Sequence, residues 1–137
     1  MEKILFIEEI DREPKYVNHA LEIAKRKNAK LYVLFLVPVS LETADWIDIQ
    51  EKQIKEKKEK LEKLLSEIKQ KSNIEIEGKV IEYLPRAFML ALKEFSPIDL
   101  VIVGDIDLEP LASERIKHLE DISVRLRCPI VFRQLCP

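Results

Sequence analysis

Three short runs of almost unbroken apolar residues constrain this chain more than any other feature. They are KILFI at 3–7, LYVLFLV at 31–37 and IDLVIVG at 98–104. A strand with one wet face alternates apolar and polar side chains. A strand that is apolar at successive positions needs cover on both faces, as in a parallel sheet clad by helices. Helical segments lie between the runs. Pro14 suits a helix start, and Val17, Ala20, Leu21 and Ala24 then recur at helical spacing. Lys25, Arg26 and Lys27 complement the dipole of that helix, and Asn28 is a stop signal. Pro38 closes the second strand, and 38–46 read as a loop in which Trp46 caps a hydrophobic edge. The spacing of Ile47, Ile54, Leu61 and Ile68, widened by Leu64 and Leu65, predicts an amphipathic helix over 47–71. Its other faces carry Lys and Glu three or four apart.

Residues 74–82 (IEIEGKVIE) alternate and read as a half-exposed edge strand, with Gly78 relieving a bulge or bend. Pro85 opens a helix that buries Ala87, Phe88, Ala91, Leu92 and Phe95 and stops at Ser96-Pro97. After an acidic loop, Ser113 is expected to cap a helix running to about Arg127, with Ile116, Leu119, Ile122, Val124 and Leu126 along it. Pro129 ends it, and PIVF gives a last short strand. About five strands alternating with four helices predict one domain over 1–137. Its class is α/β, an open parallel sheet with helices on both faces, Rossmann-like.

Composition excludes more chemistry than it suggests. Only 2 glycines occur in 137 residues. A phosphate-cradling loop needs several, because backbone amides must surround the anion closely. Gly78-Lys79 has neither an upstream glycine nor a following Ser or Thr, and no nucleophile elbow flanks any serine. With 23 basic and 25 acidic residues, the net charge is −2 and nucleic acid is not an expected partner. KILFI runs straight into Glu8 and Glu9 without a signal-peptide pattern, and no apolar run spans a membrane. A soluble, cytoplasmic protein without a membrane partner is therefore expected. Cys128 and Cys136 flank the last strand, roughly 25 Å apart if extended, so they cannot bridge within it. Antiparallel pairing of two copies about Phe132 would bring Cys128 of one opposite Cys136 of the other.

Ligands of open parallel sheets bind beyond the carboxyl ends of the strands. Here that region holds Glu8-Glu9, Leu36-Val37 and Gly104 with its loop. Asp105, Asp107 and Glu109 read as a solvated acidic loop, with cation binding as the minor alternative. Glu8 and Glu9 read as ordinary loop carboxylates, or as a pair of which one holds a neighbouring loop by hydrogen bonds. A response-regulator receiver would need an Asp after the third strand, and IEIEGKVIEYLP has none. His19 and His118 stand in no zinc spacing.

Residues 2–133 as an ordered set resemble a universal stress protein domain of the UspA-like family. The matching pieces are KILFI followed by an acid, the first helix ending in Lys25-Arg26-Lys27, LYVLFLV, the long charged helix, DLVIVG, and the closing Cys128-Pro129-Ile130-Val131-Phe132. The resemblance implies a five-stranded parallel sheet ordered 3-2-1-4-5. It also implies a homodimer through the last strand, with Pro129, Ile130, Val131, Phe132 and Arg133 at the interface. ATP-binding members carry a glycine-rich loop. Gly104 fits its first glycine, but Asp107 stands at the second, and Ile116-Lys117 occupy a Gly-Ser region. Glu9 corresponds to an Asp after the first strand, and Leu36 to an adenine contact. Asp107 adds a side chain and a charge where triphosphate would approach. The resemblance therefore favours the branch without ATP: a dimeric regulatory or binding protein in stress response, acting through an unknown protein partner, without a cofactor and not an enzyme. The alternatives are an ATP-binding switch or slow ATPase using Glu9, Leu36, Gly104, Asp107 and Arg115 or Lys117, and a metal-dependent enzyme using Glu8, Glu9 and Asp105.

Overall fold

A computed structural model describes residues 1–39 and 47–132. Among these residues, five strands form one parallel sheet: β1 Lys3–Glu9, β2 Lys30–Val37, β3 Ile76–Glu82, β4 Leu100–Val103 and β5 Ile130–Phe132. Their spatial order is β3-β2-β1-β4-β5, as the resemblance implied. Among the described residues, four α-helices connect them: α1 Val17–Lys27, α2 Ile47–Lys71, α3 Pro85–Phe95 and α4 Leu119–Leu126. The expectations for Trp46, Arg133 and Cys136 fall outside the described residues.

The apolar runs do what their pattern requires. Successive side chains of a strand point to opposite faces, and β1 shows the result. Leu5 and Ile7 pack with Phe88, Leu92 and Phe95 of α3 and Ile122 of α4. Ile4 and Phe6 pack on the opposite face with Ala20 and Ala24 of α1 and Leu61 and Leu65 of α2. A polar residue in either set would be dry, so neither face of the central strands can alternate.

Three local expectations are corrected. Gly78 makes no bulge, because it stands in regular register with Val33. A β-carbon there would meet Leu65 Cδ1 at 2.7 Å and Cδ2 at 2.8 Å, so this glycine makes room for α2 to pack on the strand. Second, no single helix runs from Ser113. A 3-10 helix spans Glu109–Glu114, Arg115 turns left-handed at φ 63°, and α4 begins only at Leu119. The reason is angular. At 100° per residue, Leu111 and Ile122 would share one face of a single helix, about 20° apart, while Ile116 would stand about 120–140° away from both. All three are fully or almost fully buried, so the segment must break to turn Ile116 inward as well. Val124 then falls on the outer face of α4 and is 75% exposed rather than part of the packed side. Third, Pro14 does not open α1, which starts three residues later, after the chain has been tied to Glu8.

Candidate functional site

β1 lies at the middle of the sheet, and from it the chain order runs outward to β2 on one side and to β4 on the other. That makes the carboxyl ends of β1 and β4 the topological switch point. Glu8 is only 1% exposed there, yet it carries a carboxylate. Its two oxygens accept hydrogen bonds from the backbone N–H groups of Lys15, at 3.0 and 3.3 Å, and Tyr16, at 3.3 Å. The buried acid thus anchors the lead into α1.

Gly104 packs against the same acid. Its N–H donates to the Ile7 carbonyl at 2.9 Å. A β-carbon on Gly104 would stand 3.1–3.3 Å from Cγ, Cδ and Cβ of Glu8. No glycine has positive φ, so the residue serves close packing rather than a special backbone conformation.

Glu9 reaches the other way. Its Oε1 accepts the Asp107 N–H at 2.7 Å, and its own N–H donates to the Asp105 carbonyl at 2.7 Å. The Tyr83 hydroxyl, arriving from the end of β3, donates to the Asp107 carbonyl at 2.5 Å. Asp107 Oδ1 in turn accepts the Glu109 N–H at 3.1 Å. The loop after β4 is therefore fastened at both backbone groups of Asp107. The sequence reading allowed one of the paired acids to hold a loop. Both do, and on opposite sides of β1.

Burial is the main influence on these acids. It raises the Glu8 pKa above the ordinary carboxylate value; the Lys15 and Tyr16 amides oppose the shift, and the Asp105 charge adds to it. Burial likewise raises Glu9, opposed by the Asp107 amide, with repulsion from Asp107 and Asp11 adding and Lys57 opposing. Burial lowers the Lys57 pKa, against the pull of Asp11 and Glu9. The Tyr83 hydroxyl is pushed up, chiefly by burial and then by the charges of Glu9 and Asp107, so it stays a hydrogen-bond donor.

The other residues expected at a site are distributed as follows. The Leu36 side chain is fully buried in the core, and its carbonyl accepts the Ile10 N–H at 2.8 Å. Lys117 is exposed ahead of α4, and its N–H and that of His118 donate to Asp121 at 2.8 and 2.9 Å. Arg115 is exposed at the left-handed turn after the 3-10 helix. Lys15 pairs with Asp105 at 3.8 Å. Among the described residues, no group of three or more His, Cys, Asp or Glu side chains is placed to hold a metal ion, so Glu8, Glu9 and Asp105 do not converge as ligands. The Cys128 thiol is buried, and burial raises its pKa. Sequence reasoning missed Tyr83 and Lys57. No local spacing marks either one, since each reaches the switch point from a distant element.

No family model and no curated protein matches the sequence. Solved structures do match the folded chain. The universal stress protein UspA from Lactobacillus plantarum superimposes with TM-score 0.60 at 14% identity, covering 96% of this chain and 98% of that one. This chain has the universal stress protein fold. A universal stress protein solved in complex with cAMP is similar at TM-score 0.51 and 18% identity, over 93% of this chain and 94% of the other. A universal stress protein family member from Burkholderia pseudomallei is similar at TM-score 0.50 and 14% identity, over 93% of both chains. On this universal-stress-protein fold, the switch point is occupied by side chains that bind the protein's own backbone. Among the described residues, no helix is long and apolar enough to cross a membrane.

Proposed function

We propose that the chain is a single, cytoplasmic universal-stress-protein-type domain in stress response. It acts by binding a protein partner, pairs with a second copy through β5, and takes no ATP at its switch point. One observation carries the reading: the loop after β4 is fastened to Glu9 and Tyr83 through both backbone groups of Asp107. A phosphate loop needs free amides aimed at the ligand. Here the Asp107 amide is already donated to a carboxylate, and the acids at 105 and 107 repel a phosphate chain. Pairing through β5 is supported by the edge itself. Among the described residues, β5 pairs with β4 alone, and an apolar edge without a partner is an association hazard that a second copy would remove. The interface would comprise Pro129, Ile130, Val131 and Phe132, extended by Arg133.

A second reading is supported by the neighbour solved with cAMP. An adenine nucleotide would then sit by Glu9, Leu36, Gly104 and Asp107, with Lys117 near phosphate, and the fastened loop would have to release. Calorimetric titration of protein stripped of co-purified ligand, with ATP and magnesium and separately with cAMP, decides between the two. The preferred reading expects no heat at millimolar nucleotide and no thermal shift. Micromolar binding overturns it, and would raise stability by about 2.7 kcal/mol at 100 times the dissociation constant.

A further inference from the structure

The outward surface of α3 is not a plain polar face. Arg86, Met89, Leu90 and Lys93 recur at i, i+3, i+4 and i+7, which places them along one stripe. Leu90 is 59% exposed. Opposite the stripe stand Arg125 and Leu126 of α4 and Glu114 of the 3-10 helix, and together they enclose an open groove of about 580 Å³. Met89 and Leu126 pack half-buried onto the core and give the groove an apolar floor. The Arg125 guanidinium donates to the Glu114 carbonyl at 2.8 Å, which positions it across the groove with donors to spare. Arg86 and Lys93 pair with no described residue. The lining thus holds three cations and one carboxylate, on a protein whose net charge is −2.

We propose that this groove between α3 and α4 docks an acidic, amphipathic helix of a partner protein. The proposal rests on the binding-domain reading above and names the class of partner. Arg86 and Lys93 are seven residues apart, about 10 Å along the helix axis. Two carboxylates seven apart on an incoming helix match that span, and leucines between them reach Leu90 and the floor. This is the helix-in-groove mode, in which an apolar stripe gives affinity and flanking charge gives register. A planar lipid surface does not fit a concave groove between two helices. Among the described residues, a second copy of this chain offers no matching helix either. The long α2, the chain's richest in Glu, turns its apolar residues Leu61 and Leu65 into its own core.

The test uses the full chain, isotopically labelled, titrated with a synthetic amphipathic peptide of about 15 residues, near the shortest length with appreciable helicity. The peptide carries leucines along one stripe and glutamates flanking it. Amide shifts are expected along α3, α4 and the 3-10 helix. Affinity should fall at least roughly tenfold in the double variant Arg86→Glu, Lys93→Glu and with added salt, as expected of a charge-matched interface. Leu90→Ser, at an exposed position, should weaken binding while leaving the melting temperature unchanged.

The proposal is overturned by any of the following: no shifts at millimolar peptide, equal binding of a peptide with lysines in place of the glutamates, or unchanged affinity in the variants. It is also overturned if dodecanoate or anionic phosphatidylglycerol vesicles occupy the groove in preference to the peptide, or if Leu90→Glu abolishes self-association. Failure here while ATP and cAMP remain unbound removes the groove and leaves the binding-domain reading intact. Micromolar nucleotide binding with the peptide still docking does the reverse.

Discussion

At the scale of single residues, the paired acids at the end of β1 behave as structural ties with an electrostatic cost. Glu8 and Glu9 both have folded-state pKa values above the ordinary 4.5, mainly through burial. Between 4.5 and the raised values, the folded chain binds more protons than the unfolded one. The free energy of unfolding therefore falls as pH rises through that window and levels off above it. Asp121 is shifted the opposite way by the amides of His118 and Lys117, so its contribution is lost only below its ordinary 3.8, outside that window. Urea titrations upward from about pH 4.5 should show stability declining and then levelling off. The isosteric Glu8→Gln should flatten the decline; an unchanged slope would mean that Glu8 does not titrate there. Gly104→Ala should cost about 1–3 kcal/mol. The added carbon presses on a Glu8 side chain that cannot move without releasing two amides, so a neutral result in the same titration would contradict the packing account. The role of the acids was partly legible from their place at a strand end. Tyr83 and Lys57 were not, because nothing near either in sequence records what lies above β1.

At the scale of elements, legibility followed the range of the determining interactions. The predicted bounds of α2, residues 47–71, match the folded helix, because its apolar stripe and Lys/Glu pairs repeat within a few residues of one another. Asn28 likewise closes α1 in the left-handed conformation, at φ 50°. The break between Ser113 and Arg127 leaves no local pattern, because it answers to the sheet beneath it. Gly78 has the same lesson in reverse: its role depends on Leu65, an α2 side chain. Gly78→Ala should therefore destabilise by about 1–3 kcal/mol through overpacking. The effect should shrink in a Leu65→Ala background, where the carbon has room. Additive effects in that double-mutant cycle would remove α2 packing as the reason for the glycine.

At the scale of the whole molecule, the sheet has two edges, β3 and β5, and they are treated differently. β3 is flanked by α2 and carries exposed charge, with Glu77 bonded to Lys30 at 3.1 Å and Lys79 paired with Glu94. β5 is three residues long, and its Val131 packs only partly against the core. Antiparallel pairing of two copies through this edge predicts a dimer by light scattering. It also predicts that Val131→Lys yields a monomer, because a buried lysine at a strand interface is unpaired and desolvated. A monomeric parent protein, or a variant that remains dimeric, removes β5 as the interface.

The amino-acid sequence by itself determined the class of fold and nearly every element, since apolar runs and helical periods are written among near neighbours. It also holds only 2 glycines, so few positions can take a conformation or close approach that needs glycine. Only the tertiary structure decided that Glu8 would turn toward α1 and Glu9 toward the loop after β4. The Glu9–Asp107 bond joins residues 98 positions apart. Such contacts depend on which strands become neighbours, and no local pattern encodes that choice.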